Sequence, residues 1–192
     1  LLMALDARDD HNAEHSSEVL SLVMTVTDSL GLDSREALHT ADVALLHDIG
    51  KIGIPNEILD KPAPLSEEEW TVMRRHPVIG ERIPNEVTGC ESVANAVRHE
   101  HEYWDGSGYP DGLEGEEIPI ASRIVLACDA YNAMISERPY REPLSEAQAR
   151  EQLTKNSGTQ FDPQVVAALR VCNDLERIGG AEGAQRHRGL CS

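Results

Sequence analysis

Apolar residues along this chain recur every three to four positions, the spacing of helices that each sink one face into a core. Val19, Leu22, Val23, Val26 and Leu30 fall on one such face, and Gly31 supplies the stop. Asp33 with Glu36 forms a capping-box pair that opens a second helix, predicted to carry Leu38, Ala41, Leu45 and Leu46 on its apolar side. Ser66 with Glu69 repeats the device ahead of Trp70 and Met73, and a further helix is predicted from Glu91 to His101. Asp105 to Pro119 reads as a loop rich in Gly and Pro. The next helix runs from about Ile120 to Ile135, with Ile124, Ala127 and Tyr131 on one side. Ser145 with Gln148 caps a helix ending near Gly158, and Asp162 followed by Pro163 starts the last one. No segment alternates convincingly as a strand would, and no internal repeat is visible. The expected architecture is an all-α bundle: one domain over residues 1–178, then a flexible tail over 179–192 that lacks any period.

Composition agrees with helices. The chain has 192 residues, 40% hydrophobic, with Ala, Leu, Val and Ile dominant and a single Phe, a poor inventory for a β-sandwich. Seventeen Lys and Arg against 34 Asp and Glu leave a formal charge of −17, which argues against a long nucleic acid as partner. A small anionic substrate stays compatible, provided bound cations and a few basic side chains reverse the field locally. Cys90, Cys128, Cys172 and Cys191 are too scattered for a CxxC pair or a disulfide framework, so a reducing cytoplasm is the simplest setting. No apolar run nears the ~20 residues that span a bilayer, and no membrane partner is expected. The start at Leu1-Leu2-Met3 suggests a piece of something longer.

The strongest chemical signal is His47-Asp48-Ile49-Gly50-Lys51 at the end of an apolar helix. A His and an Asp side by side there can both reach one cation, although the pair alone equally suits a polar helix end beside the dipole. Other residues shift that balance. His15 lies in the first helix, His76 follows Met73, His101 ends a predicted helix, and Asp129 interrupts an apolar one. An ionised Asp on such a face needs a metal or an ion pair, here with Arg123 or Lys51. Groups of this kind can converge in a bundle core, and nitrogen and carboxylate donors without thiolate suit iron, manganese or zinc.

These residues carry a resemblance. His15, His47-Asp48 and Asp129 match the H…HD…D signature of the HD-domain superfamily. The stretches HDIGKIGIPNEIL, His76-Pro77, HEYWDGSGYPDGLEGEEIPIASRI, DAYNAMISERPYR and Gln160 to Pro163 resemble its HD-GYP branch from about Asp9 to Leu169. The resemblance implies an HD-domain helical bundle with a GYP loop and a metal site in its core. It implies a phosphodiesterase that hydrolyses cyclic di-GMP to pGpG or GMP, by attack of a hydroxide bridging two divalent ions, iron or manganese. One ion would take His15, His47, Asp48 and Asp129; the other Asp48, His76, Glu100 and His101. Lys51 would hold the scissile phosphate or assist the leaving oxygen, unless it is a solvated loop lysine. Arg138 and Arg141 match phosphate-binding cations, or else surface ion pairs. Tyr109, in the turn Gly106 to Pro110, would face the substrate, while the turn itself also supports His101.

The match has gaps. Relatives usually carry two adjacent His where this chain has Glu100 and His101, and Glu can replace His as a ligand with added negative charge. His99 is not expected to substitute. His11 stands where three-metal members carry Glu, Asn132 where many carry Asp, and Glu18 where Arg is common. Three other readings stay open: a degenerate domain that senses cyclic di-GMP without cleaving it, a diiron enzyme of the same superfamily, and a hydrolase of other cyclic dinucleotides or nucleotides. An N-terminal receiver or sensor domain and a second copy of the chain are the other partners considered.

Overall fold

A computed structural model describes residues 12–137 and 142–171, with backbone alone at 12–15. Helix α1 (Asn12–Ser29) buries Val19, Val23 and Val26. It ends at Gly31, whose φ of 71° is the left-handed turn that glycine adopts without strain. Helix α2 (Ser34–Leu46) opens on the expected capping box: Asp33 accepts from the Arg35 and Glu36 amides, and Glu36 accepts from the Asp33 amide. Its buried face is Thr40, Val43, Ala44 and His47 rather than the predicted Leu38 side. Leu38 is 64% exposed. The two faces are a fraction of a turn apart, and the one that carries His47 faces the core.

A 3-10 turn (Ile49–Gly53) and the short α3 (Asn56–Leu59) and α4 (Glu67–Met73) follow, the last capped by Ser66 and Glu69 as expected. Helix α5 (His76–Asn85) then starts on His76 with Pro77 in its first turn. Helix α6 (Glu91–Arg98) stops three residues short of the expected His101, because the chain breaks away at His99. Helix α7 (Ile120–Ile135) is buried nearly all round and forms the centre of the bundle, against which α1 and α2 pack. Helix α8 (Glu146–Lys155), capped by Ser145 and Gln148, and α9 (residues 163–171) close the far side. Asp162 caps α9 through the Gln164 amide and also pairs with Arg123 at 2.7 Å, tying α7 to α9.

Among the described residues there is no strand, only isolated bridges at Asp105–Glu114 and Ser157–Phe161. The all-α expectation holds. No described helix is long and apolar enough to cross a membrane. The proposed boundary at 178 and 179, His11, Arg138 and Arg141 all lie outside the described residues.

Candidate metal centre

The site is assembled by α2, the 3-10 turn and α5, with the residues just past α6. His47 is the C-cap of α2, and its Nδ1 lies 2.7 Å from the Ala44 carbonyl. A carbonyl only accepts, so the proton sits on Nδ1 and Nε2 is presented to Asp48, 3.5 Å from Oδ2. His76 repeats the arrangement one layer over, with Nδ1 donating to the Met73 carbonyl at 2.8 Å. Its Nε2 points at Glu100 Oε1 (3.0 Å), His101 Nε2 (3.1 Å) and Asp48 Oδ1 (3.8 Å). His101 Nε2 is 3.3 Å from the same Glu100 oxygen. Ligand-type atoms of His76, Glu100 and His101 therefore crowd together, and with the His76 proton on Nδ1 its Nε2 is an acceptor that faces another acceptor, the ionised form of Glu100 Oε1. Glu100 is 2% exposed, and its second oxygen, Oε2, has no hydrogen-bond partner among the described residues. Such a set wants a cation. The donors fit a divalent ion of the kind bound by nitrogen and carboxylate.

Close packing fixes the pieces. A Cβ on Gly50 would overlap the His76 carbonyl and come within 2.5 Å of the Gly80 amide nitrogen, so the turn after Asp48 lies directly on the start of α5. Lys51, one turn beyond His47, reaches back to Asp48 with Nζ 2.6 Å from Oδ2. Asp129 projects from the middle of α7 close enough to perturb His47, Lys51, His76, Glu100 and His101 electrostatically. Arg123, the alternative partner for Asp129, is held by Asp162.

The electrostatics are those of a buried, mixed-charge site. Burial alone would raise Asp48, but Lys51, His47 and His76 outweigh it and hold the carboxyl far below its usual range. Burial pushes Glu100 well up, assisted by Asp48 and Asp129. It pushes His101 down to about 3, assisted by His76. Desolvation also lowers His76, whereas for His47 and Lys51 the surrounding carboxylates overcome desolvation and raise both.

A family model described as HD domain matches residues 1–165. The chain belongs to the HD-domain family. Among curated relatives, the cyclic di-GMP phosphodiesterase response regulator RpfG of Xanthomonas campestris pv. campestris (strain 8004) is 40% identical over 187 residues, covering 94% of this chain and 48% of its own length. The 3′3′-cGAMP-specific phosphodiesterase 3 of Vibrio cholerae serotype O1 (strain ATCC 39315 / El Tor Inaba N16961) is 35% identical over 171 residues, covering 89% of this chain and 37% of its own. The crystal structure of a cyclic GMP-AMP specific phosphodiesterase of V. cholerae superposes with a TM-score of 0.69 at 20% identity, over 93% of this chain and 49% of that one. This HD domain thus spans at most about half the length of these relatives. The HD-GYP resemblance drawn from the motifs is borne out.

The loop of this HD domain supports His101 as expected, and it is anchored in part by residues that the sequence reading left unassigned, Arg98, Glu102 and Asp111. Gly108 sits so tightly on residues 101–103 that a Cβ would overlap the Tyr103 amide nitrogen and come within 2.5 Å of the His101 carbonyl. The Tyr109 amide donates to that carbonyl at 3.0 Å, and the Tyr109 ring stacks on His101 with centroids 5.0 Å apart. Buried Glu102 accepts from the Asp111 and Gly112 amides (2.6 and 3.0 Å). Arg98 and His99 both bind the Asp111 carboxylate. His99 therefore faces the loop and not the metal cluster, as expected, although the reason is the early end of α6. His99, Glu102 and Asp111 also lie close enough to resemble a metal site, but their donor atoms are already engaged in holding the loop. Arg74 was missed as well: its guanidinium lies 5.6 Å from the Tyr109 ring centroid. The Arg-Arg pair ahead of His76-Pro77 was the available signal.

Proposed function

We propose that this HD domain is a metal-dependent phosphodiesterase of cyclic dinucleotides, with cyclic di-GMP as the first candidate substrate. The observation that carries the reading is the meeting of His76 Nε2, His101 Nε2 and Glu100 Oε1 within 3.3 Å, beside Asp48 and Lys51. Asp48, His76, Glu100 and His101 would hold one divalent ion; His15, His47, Asp48 and Asp129 would hold a second. Iron or manganese suits these donors. When bound, such ions supply Lewis acidity that generates a nucleophile from water at neutral pH and offsets charge on the phosphoryl oxygens.

The protein's own groups do the rest. His47 and His76 are locked by their backbone hydrogen bonds, so their Nε2 atoms need no reorganisation. Lys51, kept protonated by Asp48, can meet a phosphate oxygen or give a proton to the leaving oxygen. Tyr109, stacked on His101, offers the substrate a ring beside the reacting centre. Support for the substrate class comes from the relatives, one named for cyclic di-GMP and one for 3′3′-cGAMP.

The test is anaerobic purification, metal analysis, and incubation with cyclic di-GMP and 3′3′-cGAMP beside an Asp48→Ala control. Near two iron or manganese ions per chain, with turnover abolished in the control, is the expected result. Metal-loaded, folded protein that binds a cyclic dinucleotide and never cleaves it would overturn the hydrolase in favour of a sensor.

A further inference from the structure

Between α5 and the Tyr109-Pro110 turn lies an open cleft of about 330 Å³. Arg75, Val78, Ile79 and Arg82 line one side of it, at the three-, four- and seven-residue intervals that place them on a single face of α5. Arg74, Tyr109 and Pro110 complete the lining. The surface is thus an apolar strip with a guanidinium at each end, and a third guanidinium over the tyrosine ring. Arg74, Arg75 and Arg82 are exposed, and none of them forms an ion pair among the described residues; Arg35 and Arg170 are also unpaired, but they do not line this cleft. Three unpaired arginines around one cleft make it locally cationic in a chain of net charge −17, which suits an anion. The apolar strip between them suits a flat ring. A nucleotide joins an anion to a flat ring in this way.

This inference rests on the cyclic dinucleotide reading above and extends it. We infer that the α5 cavity receives the distal half of the substrate: the non-scissile phosphodiester on Arg75 and Arg82, its nucleobase against Val78, Ile79 and Pro110. Tyr109 is the shared wall. One edge of its neighbourhood is His101 of the metal cluster and another is Arg74, so a substrate lying across the tyrosine spans both sites. A cyclic dinucleotide carries two phosphates, and only one can be cut at a time. The cavity gives the uncut phosphate its own cationic partner, which converts binding of the remote half into orientation of the reacting half.

The experiment uses the metal-loaded protein and the paired variant Arg75→Gln/Arg82→Gln, which keeps polar side chains on the surface. Binding of a non-hydrolysable phosphorothioate analogue of cyclic di-GMP is read by anisotropy, and KM and kcat are read with cyclic di-GMP itself. The dissociation constant and KM are expected to rise at least tenfold, with kcat changed by less than about threefold. The ratio of kcat/KM for cyclic di-GMP to that for bis(p-nitrophenyl) phosphate, which has no second phosphate, is expected to fall at least tenfold. Restoring charge with Arg75→Lys/Arg82→Lys should recover part of the affinity. A dissociation constant within twofold of wild type in the folded Gln variant would overturn the assignment. The two readings fail separately. Analogue binding lost in the variant, with no wild-type turnover, sinks the hydrolase and keeps the cavity; normal turnover with unchanged affinity does the reverse.

Discussion

Glu100 is the residue on which the metal chemistry turns. It is buried, it stands where relatives usually carry His, and its Oε2 lacks a protein hydrogen-bond partner. Desolvation raises its pKa, so the charged carboxylate gains from a cation placed beside it. Glu100→Gln removes the charge while keeping the shape; it is expected to lose about one metal equivalent and at least ~100-fold in kcat, the scale of a ligand or oriented-donor loss. Glu100→His, which recreates the commoner pair with His101, is expected to keep both metals. Elemental analysis alongside initial rates checks both. A different carboxylate governs pH sensitivity outside the cluster. Asp111 is lowered to about 2, first by its hydrogen bonds to Arg98 and then by His99. A depressed carboxyl stabilises the fold above its unfolded value of 3.8 and loses that contribution as pH falls towards about 2. Because Asp111 is substantially exposed, Asp111→Asn should cost under about 1 kcal/mol near pH 7. Thermal melts of the two proteins should converge as the pH approaches 2.

At the level of elements, capping boxes were the most readable feature. Asp33 with Glu36, Ser66 with Glu69 and Ser145 with Gln148 each satisfy orphan amides through local side chains, so sequence spacing alone locates them. Faces and ends were less readable. Which side of α2 turns inward depends on where α7 lies, and Leu38, apolar but exposed, misled the pattern. The end of α6 is set by Arg98, His99 and Glu102 turning to hold a loop that returns from Asp111 and Gly112. No local period reports that. The 3-10 turn after Asp48 is also too short to show one, yet its glycine is demanding. Gly50→Ala would force the turn off the start of α5 and pull Asp48 and Lys51 away from His76. Destabilisation of about 1–3 kcal/mol, the range for overpacking a close contact, is expected by chemical denaturation. Metal loading should fall with it, whereas Ala at Gly89, where nothing lies within 4 Å, should leave metal loading intact despite its φ of 90°.

For the whole molecule, the bundle and its family were legible because ligand-type residues recur in a fixed order over most of the chain. Their convergence was not, since His47, His76 and Glu100 come from separate segments that only tertiary packing unites. That separation links metal to global stability. Ions that bind only the folded cluster stabilise it by mass action, by about 2.7 kcal/mol at a hundredfold excess over Kd. For a chain of this size the melting temperature should rise roughly 5–10 °C on loading and fall on chelation, read by scanning calorimetry. The tight seat of Gly108 on residues 101–103 has one more consequence. Because Tyr109 follows that glycine directly and His101 lies within the seat, the proposed ligand-facing ring and a proposed metal ligand are spliced into one short closed hoop of chain. Evolution can then retune specificity by exchanging side chains around the hoop, but an insertion or deletion between His101 and Asp111 would disturb recognition and catalysis in a single step. Loop length here should vary far less than loop composition.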